Sequence, residues 1–454
     1  MKNTILLLFL SLSVGSYSQE NETESTYKKR VLESTEIDFL SSYYWQDGDN
    51  AAVSGGIGTE SLTDATAAII VSIPLNADDV LTIDAGVSAY TSASSSNINP
   101  FDGKNSADPF VASSGASRQD VLTNLTGSYS HSSDDRNQIL SGKLSISSEY
   151  DYFSIGGGAS YTRLFNEKNT EVSLNGNVYF DTWGLIYPVE LRPAGNKEPG
   201  EDDEDHHFNI NDYLITGNPD YNPQFTPFSS QARNSYSLGL GFSQILSRNV
   251  QMSLAADLVM QDGLLSTPFQ RVYFSDVADS FIENFHLADD VERLPGSRIK
   301  IALGGRLNYY LNQTFVVRTF YRYYFDDWGI QSNTASIEVP IKISQKFTLY
   351  PSYRYYNQTQ ADYFAPYNQH LSTADYYTSD YDLSGYNADQ YGFGISYTDL
   401  FTQGHLWLFK FKSIDLKYNT YSRNNGFRSN MLLLGVKMII EESGQEAWDK
   451  IRGK

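Results

Sequence analysis

Residues 298–311 read Arg-Ile-Lys-Ile-Ala-Leu-Gly-Gly-Arg-Leu-Asn-Tyr-Tyr-Leu. The apolar positions recur at period two: Ile299, Ile301, Leu303, Leu307, Tyr309 and Leu311 share one face, while Lys300, Gly304, Arg306 and Asn308 share the other. Side chains alternate across a β-strand, so this stretch predicts a strand with one greasy side and one wet side. The same reading holds outward in both directions. In 315–325, Phe315, Val317, Tyr321, Tyr323 and Phe325 stand opposite Arg318 and Arg322. In 335–343, Ile337, Val339, Ile341 and Ile343 stand opposite Glu338 and Lys342, and in 251–261 Met252, Leu254, Leu258 and Met260 face away from Gln251, Ser253, Asp257 and Gln261. Helical periodicity is nearly absent.

The connections alternate as well. Short polar turns at 76–79, 132–137, 166–169, 247–249, 312–313 and 344–346 are interleaved with long polar stretches at 47–64, 92–119, 182–232, 262–296 and 359–388. Short turns at one end and long loops at the other are the signature of an all-β transmembrane antiparallel up-and-down β-barrel, with short periplasmic turns and long external loops. Strands counted from residue 35 to 440 number about 16, an even count that puts both chain ends on the periplasmic side. Tyr43, Tyr44, Trp45, Tyr323, Tyr324 and Trp328 are expected in aromatic girdles at the two membrane interfaces. Asp326-Asp327-Trp328-Gly329 is expected to be a tight hairpin, and Pro351 marks a missing ladder donor, tolerated at a bulge or an edge.

Composition agrees with this and removes other classes. The 454 residues carry a formal charge of −21, 34 Tyr and no Cys. Without cysteine there are no thiolate metal sites, thiol nucleophiles or disulfides. The acidic balance lacks the basic stripe that nucleic acid requires. Residues 1–18 form a predicted cleavable signal peptide, with Lys2 ahead of an apolar core at 5–12 and a small-x-small site at Ser16-Tyr17-Ser18. The expected division is therefore a signal peptide (1–18), a short periplasmic segment (19–33), the barrel (34–440) and a periplasmic tail (441–454). A large N-terminal plug of the TonB-dependent receptor type is not expected, because little sequence precedes the first strand.

Three features could carry chemistry. The wet faces of four consecutive strands supply Lys300, Arg306, Arg318, Arg322, Lys342 and Arg354, a basic wall in an otherwise acidic chain. It reads either as an anion-attracting ladder along a pore or as cross-strand charge pairing that holds a wet wall together. The densest charge run, residues 198–207, offers Asp202, Asp203, Asp205, His206 and His207 as ligands for Ca²⁺ or a transition metal, or else a solvated acidic loop. The small-residue stretch 92–119 suits either a constriction folded into the lumen or a surface loop. An embedded hydrolase would need Ser and His together on a strand or an Asp/His pair at the rim, and Asp205-His206 is the single rim candidate. No enzyme activity and no cofactor are expected.

Several segments resemble an uncharacterised family of Gram-negative outer-membrane barrels known only as a domain of unknown function. They are residues 91–99, Gln261-Asp262-Gly263, 266–274, Leu294-Pro295-Gly296-Ser297-Arg298, 321–329 and 351–356 leading to Ala361-Asp362-Tyr363-Phe364, with Asp-Asp-Trp-Gly and Tyr-Arg-Tyr-Tyr the most specific. Members tend to be encoded near a flavin-attaching lipoprotein and a small lipoprotein. The resemblance implies an outer-membrane location and a place in an extracytoplasmic redox system, with periplasmic or surface lipoproteins as partners beside the outer-membrane lipids. The expected function is a conduit or pore for small solutes, or the outer-membrane part of that redox system. The competing expectation is a scaffold that binds surface partners through its long loops.

Overall fold

The computed structural model describes residues 29–91, 119–191, 214–282, 285–399, 404–406 and 409–440. Strands run through them as β1 (Thr35–Asp47), β2 (Leu62–Pro74), β3 (Asp79–Thr91), β4 (Gln119–Ser132), β5 (Gln138–Ser148), β6 (Tyr152–Phe165), β7 (Thr170–Trp183) and β8 (Ala232–Ser247). They continue as β9 (Val250–Gly263), β10 (Ser297–Tyr310), β11 (Val316–Asp326), β12 (Gln331–Glu338), β13 (Phe347–Gln358), β14 (Tyr386–Thr398), β15 (Phe409–Arg423) and β16 (Arg428–Ile440). Each strand pairs antiparallel with its neighbours in the chain, and β1 pairs with β16 from Thr35↔Ile440 to Asp47↔Arg428, so the sheet closes on itself. The result is a 16-stranded up-and-down barrel, with Ile341–Lys342 and His405–Leu406 as two-residue extensions. Closure leaves no open sheet edge, which a chain in lipid requires.

Strand parity sorts the side chains. Leu125, Leu144, Ile155, Leu174, Leu240, Leu303, Leu416 and Leu434 all point outward and are exposed, Leu144 to 70 % of its surface. So continuous a set of exposed aliphatic residues around a barrel makes a lipid-facing belt. No helix among the described residues is long and apolar enough to cross a membrane; the strands do the crossing. The expected proline defect is present. Pro340 separates β12 from its extension directly beside Pro351 of β13, so two residues without an N–H fall at one place in the ladder, where Val339 still donates to the Pro351 carbonyl at 3.0 Å.

The girdle expectation is corrected for three of its residues. Tyr43 is 47 % exposed on the outer face, but its neighbour Tyr44 is 6 % exposed and faces inward, and Tyr324 likewise faces inward. Consecutive residues of a strand cannot share a face, so such pairs split between interface and lumen. Trp328 lies in the 327–330 turn at 3 % exposure: its Nε1–H donates to the Ser297 carbonyl at 3.0 Å and the Arg298 guanidinium sits 4.2 Å from its ring. It anchors a hairpin, not the membrane interface. The hairpin itself is as expected: Asp326 accepts from the Trp328 and Ile330 N–H groups at 3.1 and 3.0 Å, and Gly329 takes φ +89°.

At the long-loop end, connections 48–61, 92–118, 184–231, 264–296 and 359–385 are long, whereas 149–151, 327–330 and 424–427 are tight. The described parts of the long loops turn inward over the mouth, because they bond to inward-facing groups at the rim. Gln46 donates to the Glu60 carbonyl at 2.8 Å, Gln358 to the carbonyls of Asp382 and Ser384 at 2.9 and 2.6 Å, and Leu264 packs on Tyr152 and Trp183.

Candidate functional site: a two-sided lumen beneath a loop cap

The register places every second residue of each strand toward the lumen. On β2–β8 these are chiefly small or uncharged: Thr66, Ala68, Gly86, Ser88, Asn124, Ser145, Gly156, Gly158, Asn177 and Gly239, with Asp64, Asp84 and Lys143 among the charged ones. On β10–β15 they are basic and aromatic. Rungs Lys300↔Asp326, Gly304↔Arg322, Arg306↔Phe320, Asn308↔Arg318 and Ser336↔Arg354 line up Lys300, Arg306, Arg318, Arg322 and Arg354 on one inner wall, with Phe320, Tyr324, Tyr350 and Tyr356 between them. Lys342 lies at the short-turn end of the same wall, across from Thr348. In a closed barrel of 16 strands, β2 and β10 stand eight strands apart. Asp64 and Asp84 are therefore on the side opposite Arg306 and Arg322.

Part of the basic wall is occupied by cross-strand pairing. Arg318 holds Glu338 at 2.9 Å, and Lys417 reaches the other oxygen of Glu338 at 3.7 Å. Arg298, just above Lys300, binds Asp326 with Nε at 3.0 Å and Nη2 at 2.5 Å. Arg423, at the top of β15, holds Asp382 of the 359–385 loop at 2.6 Å and lies over Tyr386 and Phe427 at 4.4 and 4.3 Å. Arg298 and Arg423 were not singled out from the sequence, although their parity with Lys300 and Lys417 carried the signal.

Above the lumen the loops have a buried core of their own. Tyr187, Leu191, Tyr273, Ala288 and Val291 form one cluster, and Val272, Phe274 and Tyr377 another. Two arginines tie loops together. Arg271 grips both oxygens of Glu190 at 2.7 and 3.2 Å and donates to the Val53 carbonyl at 3.2 Å, joining the 264–296, 184–231 and 48–61 loops. Arg293 grips Asp290 at 2.9 and 3.1 Å and lies 4.4 Å from the Phe228 ring. His286 is sandwiched between Tyr273 and Phe281 at 4.4 and 4.7 Å, its Nδ1 2.5 Å from the Tyr367 hydroxyl, and burial lowers its pKa. Burial raises three carboxyls of the cap: Asp289 to about 6, Glu292 to about 7, and Asp380, further repelled by Asp382 and Glu292, to about 8.

The acidic run with Asp202, Asp203, Asp205, His206 and His207 lies outside the described residues, as does 92–118. The structure instead brings together Asp120, Glu149 and Asp151 at the rim of β4–β6, with ligand oxygens within 4.8 Å of one another. Oxygen donors of this kind suit hard divalent cations. The tight 149–151 turn, with an acid at each end, was the available sequence signal.

A family model described as "Protein of unknown function (DUF3570)" matches residues 6–438. No curated protein matches the chain. Among solved structures it is similar to a bacterial polysaccharide outer membrane secretin (9 % identity, 90 % of this chain and 98 % of that one, TM-score 0.42). It is also similar to a BenF-like porin from Pseudomonas fluorescens Pf-5 (8 % identity, 90 % and 100 %, TM-score 0.39) and to a Pseudomonas aeruginosa FadL homologue (10 % identity, 90 % and 91 %, TM-score 0.36).

Proposed function

The chain belongs to the DUF3570 family, and we propose that it is an outer-membrane conduit that passes small polar solutes through its lumen without catalytic chemistry of its own. The observation that carries this reading is the inner face: 16 strands enclose a wall of Ser, Thr, Asn, Gly and charged side chains while the outer face is aliphatic. Barrels of about this size leave room for an aqueous channel, and a wall lined this way is solvated at little cost. The barrel reaches the outer membrane by export through its signal peptide. The cap sits where solutes would enter and acts as the filter over the mouth.

Reconstitution of the refolded full chain in planar bilayers tests the proposal. Discrete conductance steps are expected; their absence from protein with the heat-modifiable migration of a folded barrel would overturn it. Service to a redox system is the finer version of the same reading, supported by the family resemblance alone. It predicts a stoichiometric lipoprotein partner on purification in mild detergent, and a barrel isolated alone argues against it.

A further inference from the structure

Two loops of the cap meet at a backbone bridge, where Arg293 and Tyr377 exchange N–H···O bonds at 3.0 and 2.7 Å. One residue away on each side, Glu292 and Thr378 turn toward each other, and the Thr378 hydroxyl lies 2.5 Å from Glu292 Oε2. The same hydroxyl accepts the Asp380 N–H at 3.0 Å, which brings a second carboxylate to the junction. Gln270, whose carbonyl accepts the Glu292 N–H at 2.9 Å, aims its side-chain amide at Asp380, with Nε2 3.5 Å from Oδ2. Hydrogen bonds thus gather Glu292, Asp380, Thr378 and Gln270 where the 264–296 and 359–385 loops join.

Donors and acceptors do not balance there. Neither Glu292 nor Asp380 is in an ion pair among the described residues, and the Arg423 guanidinium is held by Asp382. Gln270 is 8 % exposed, and its Oε1 has no hydrogen-bond partner among the described residues. Turning the amide over would set its oxygen against Asp380 Oδ2 at 3.5 Å with no donor between them. Either way an oxygen in the interior lacks a positive partner, which is costly. Protons on the two carboxyls meet part of that need. A divalent cation meets all of it, since it matches two carboxylate charges and takes the amide oxygen as a ligand. An all-oxygen set selects a hard ion, and an irregular set that includes an amide carbonyl suits Ca²⁺ better than Mg²⁺, which keeps its waters and demands an octahedron.

We propose that Glu292, Asp380 and Gln270 form a Ca²⁺ site that clasps the 264–296 loop to the 359–385 loop. The inference is independent of the conduit reading. Hydrogen exchange of the refolded full chain at about pH 8, in EDTA or with added Ca²⁺, tests it. In EDTA the pair has only protons to neutralise it. Calcium modules outside the cell bind at about 10⁻⁴–10⁻³ M, so about 5 mM Ca²⁺ should slow exchange in both loops about tenfold. Glu292→Gln with Asp380→Asn keeps the side-chain shapes and should abolish that protection. Gln270→Leu keeps both carboxylates and should raise the Ca²⁺ concentration for half-protection about tenfold. Wild-type exchange in the two loops that ignores Ca²⁺ would overturn the site, even if calorimetry detects the ion bound elsewhere on the chain. Protection that survives in the double variant would overturn it too. Equal protection by Mg²⁺ at the same concentration would overturn the assignment to Ca²⁺, and a half-protection concentration unmoved by Gln270→Leu would remove the amide from the ligand set.

Discussion

Glu292 and Asp380 come from different loops of the cap and are tied to the same threonine: the Thr378 hydroxyl donates to Glu292 Oε2 at 2.5 Å and accepts the Asp380 backbone N–H at 3.0 Å. Thr267 N–H donates to the other Glu292 oxygen at 2.7 Å, and Gln270 reaches Asp380 at 3.5 Å. Arg423, the guanidinium nearby, is engaged with Asp382. Two buried acids thus meet where the 264–296 and 359–385 loops join, and their charged forms are disfavoured.

That arrangement makes cap stability fall as pH rises. Both carboxyls have folded-state pKa values raised above the ordinary carboxylate range, Glu292 to about 7 and Asp380 to about 8. The folded cap therefore binds protons that the unfolded loops would release. Its stabilisation is fully present below about pH 4 and is lost as pH climbs through the raised values. Hydrogen exchange in 264–296 and 359–385, corrected for intrinsic rate, should be faster at about pH 9 than at about pH 5.5 while the strands stay protected. The variant Glu292→Gln with Asp380→Asn should lose that pH dependence. Equal corrected exchange at both pH values in the wild type would refute it.

Removing Arg271 should loosen the cap without opening the barrel. Its guanidinium spans Glu190 and the Val53 carbonyl, and the Glu190 side chain is wholly buried. Arg271→Ala leaves that carboxylate in the interior without its cation, a change that costs about 3–5 kcal/mol. Limited proteolysis should then cut the 184–231 and 264–296 loops much faster, with heat-modifiable migration retained. Arg271→Met with Glu190→Leu removes both charges and should recover most of the protection; equal cleavage of both variants would show that the pair does not hold the cap.

Gly329→Ala tests the 327–330 hairpin. Its φ of +89° disfavours any residue with a side chain by about 1–2 kcal/mol. An added Cβ would also lie 2.4 Å from Asp362 Oδ1, displacing the side chain of a residue whose backbone N–H donates to the Trp328 carbonyl at 2.9 Å. The expected loss shows as a lower urea midpoint for folding into vesicles and as faster exchange at Asp362. An unchanged midpoint would mean that the turn relaxes freely.

Strands and turns were legible because they are local: parity within 298–311 decides which residues meet lipid, and turn residues mark the short ends. The even count put both chain ends on one side, and the pairing of β1 with β16 closes the sheet. The cap was not legible, because Arg271 and Glu190 are 81 positions apart and nothing in either neighbourhood encodes the other. Neither was the division of the basic wall. Arg318 and Arg354 look alike in sequence, but Glu338 lies on the rung beside Arg318, while Arg354 has Ser336 and Gln390 as its cross-strand neighbours. Aromatic residues misled where two stood together, since Tyr43 and Tyr44 carry the same composition signal and opposite directions.

Parity itself is open to a direct test at Asn124 and Leu125, neighbours on β4. Leu125 is 49 % exposed on the outer face, beside Ala85 and Ile146, while Asn124 stands opposite Gly86 and Ser147 on the inner one. An arginine on the lipid face near mid-membrane costs about 2–4 kcal/mol, while a lumen-facing arginine keeps its hydration if water reaches it. Leu125→Arg should therefore lower the urea midpoint for folding into vesicles sharply, and Asn124→Arg only slightly, even though the two substitutions add the same charge one residue apart. Equal losses would mean that the inner wall at this level is as dry as the lipid face, which would contradict the conduit as well as the side-chain parity on which its two-sided lumen depends.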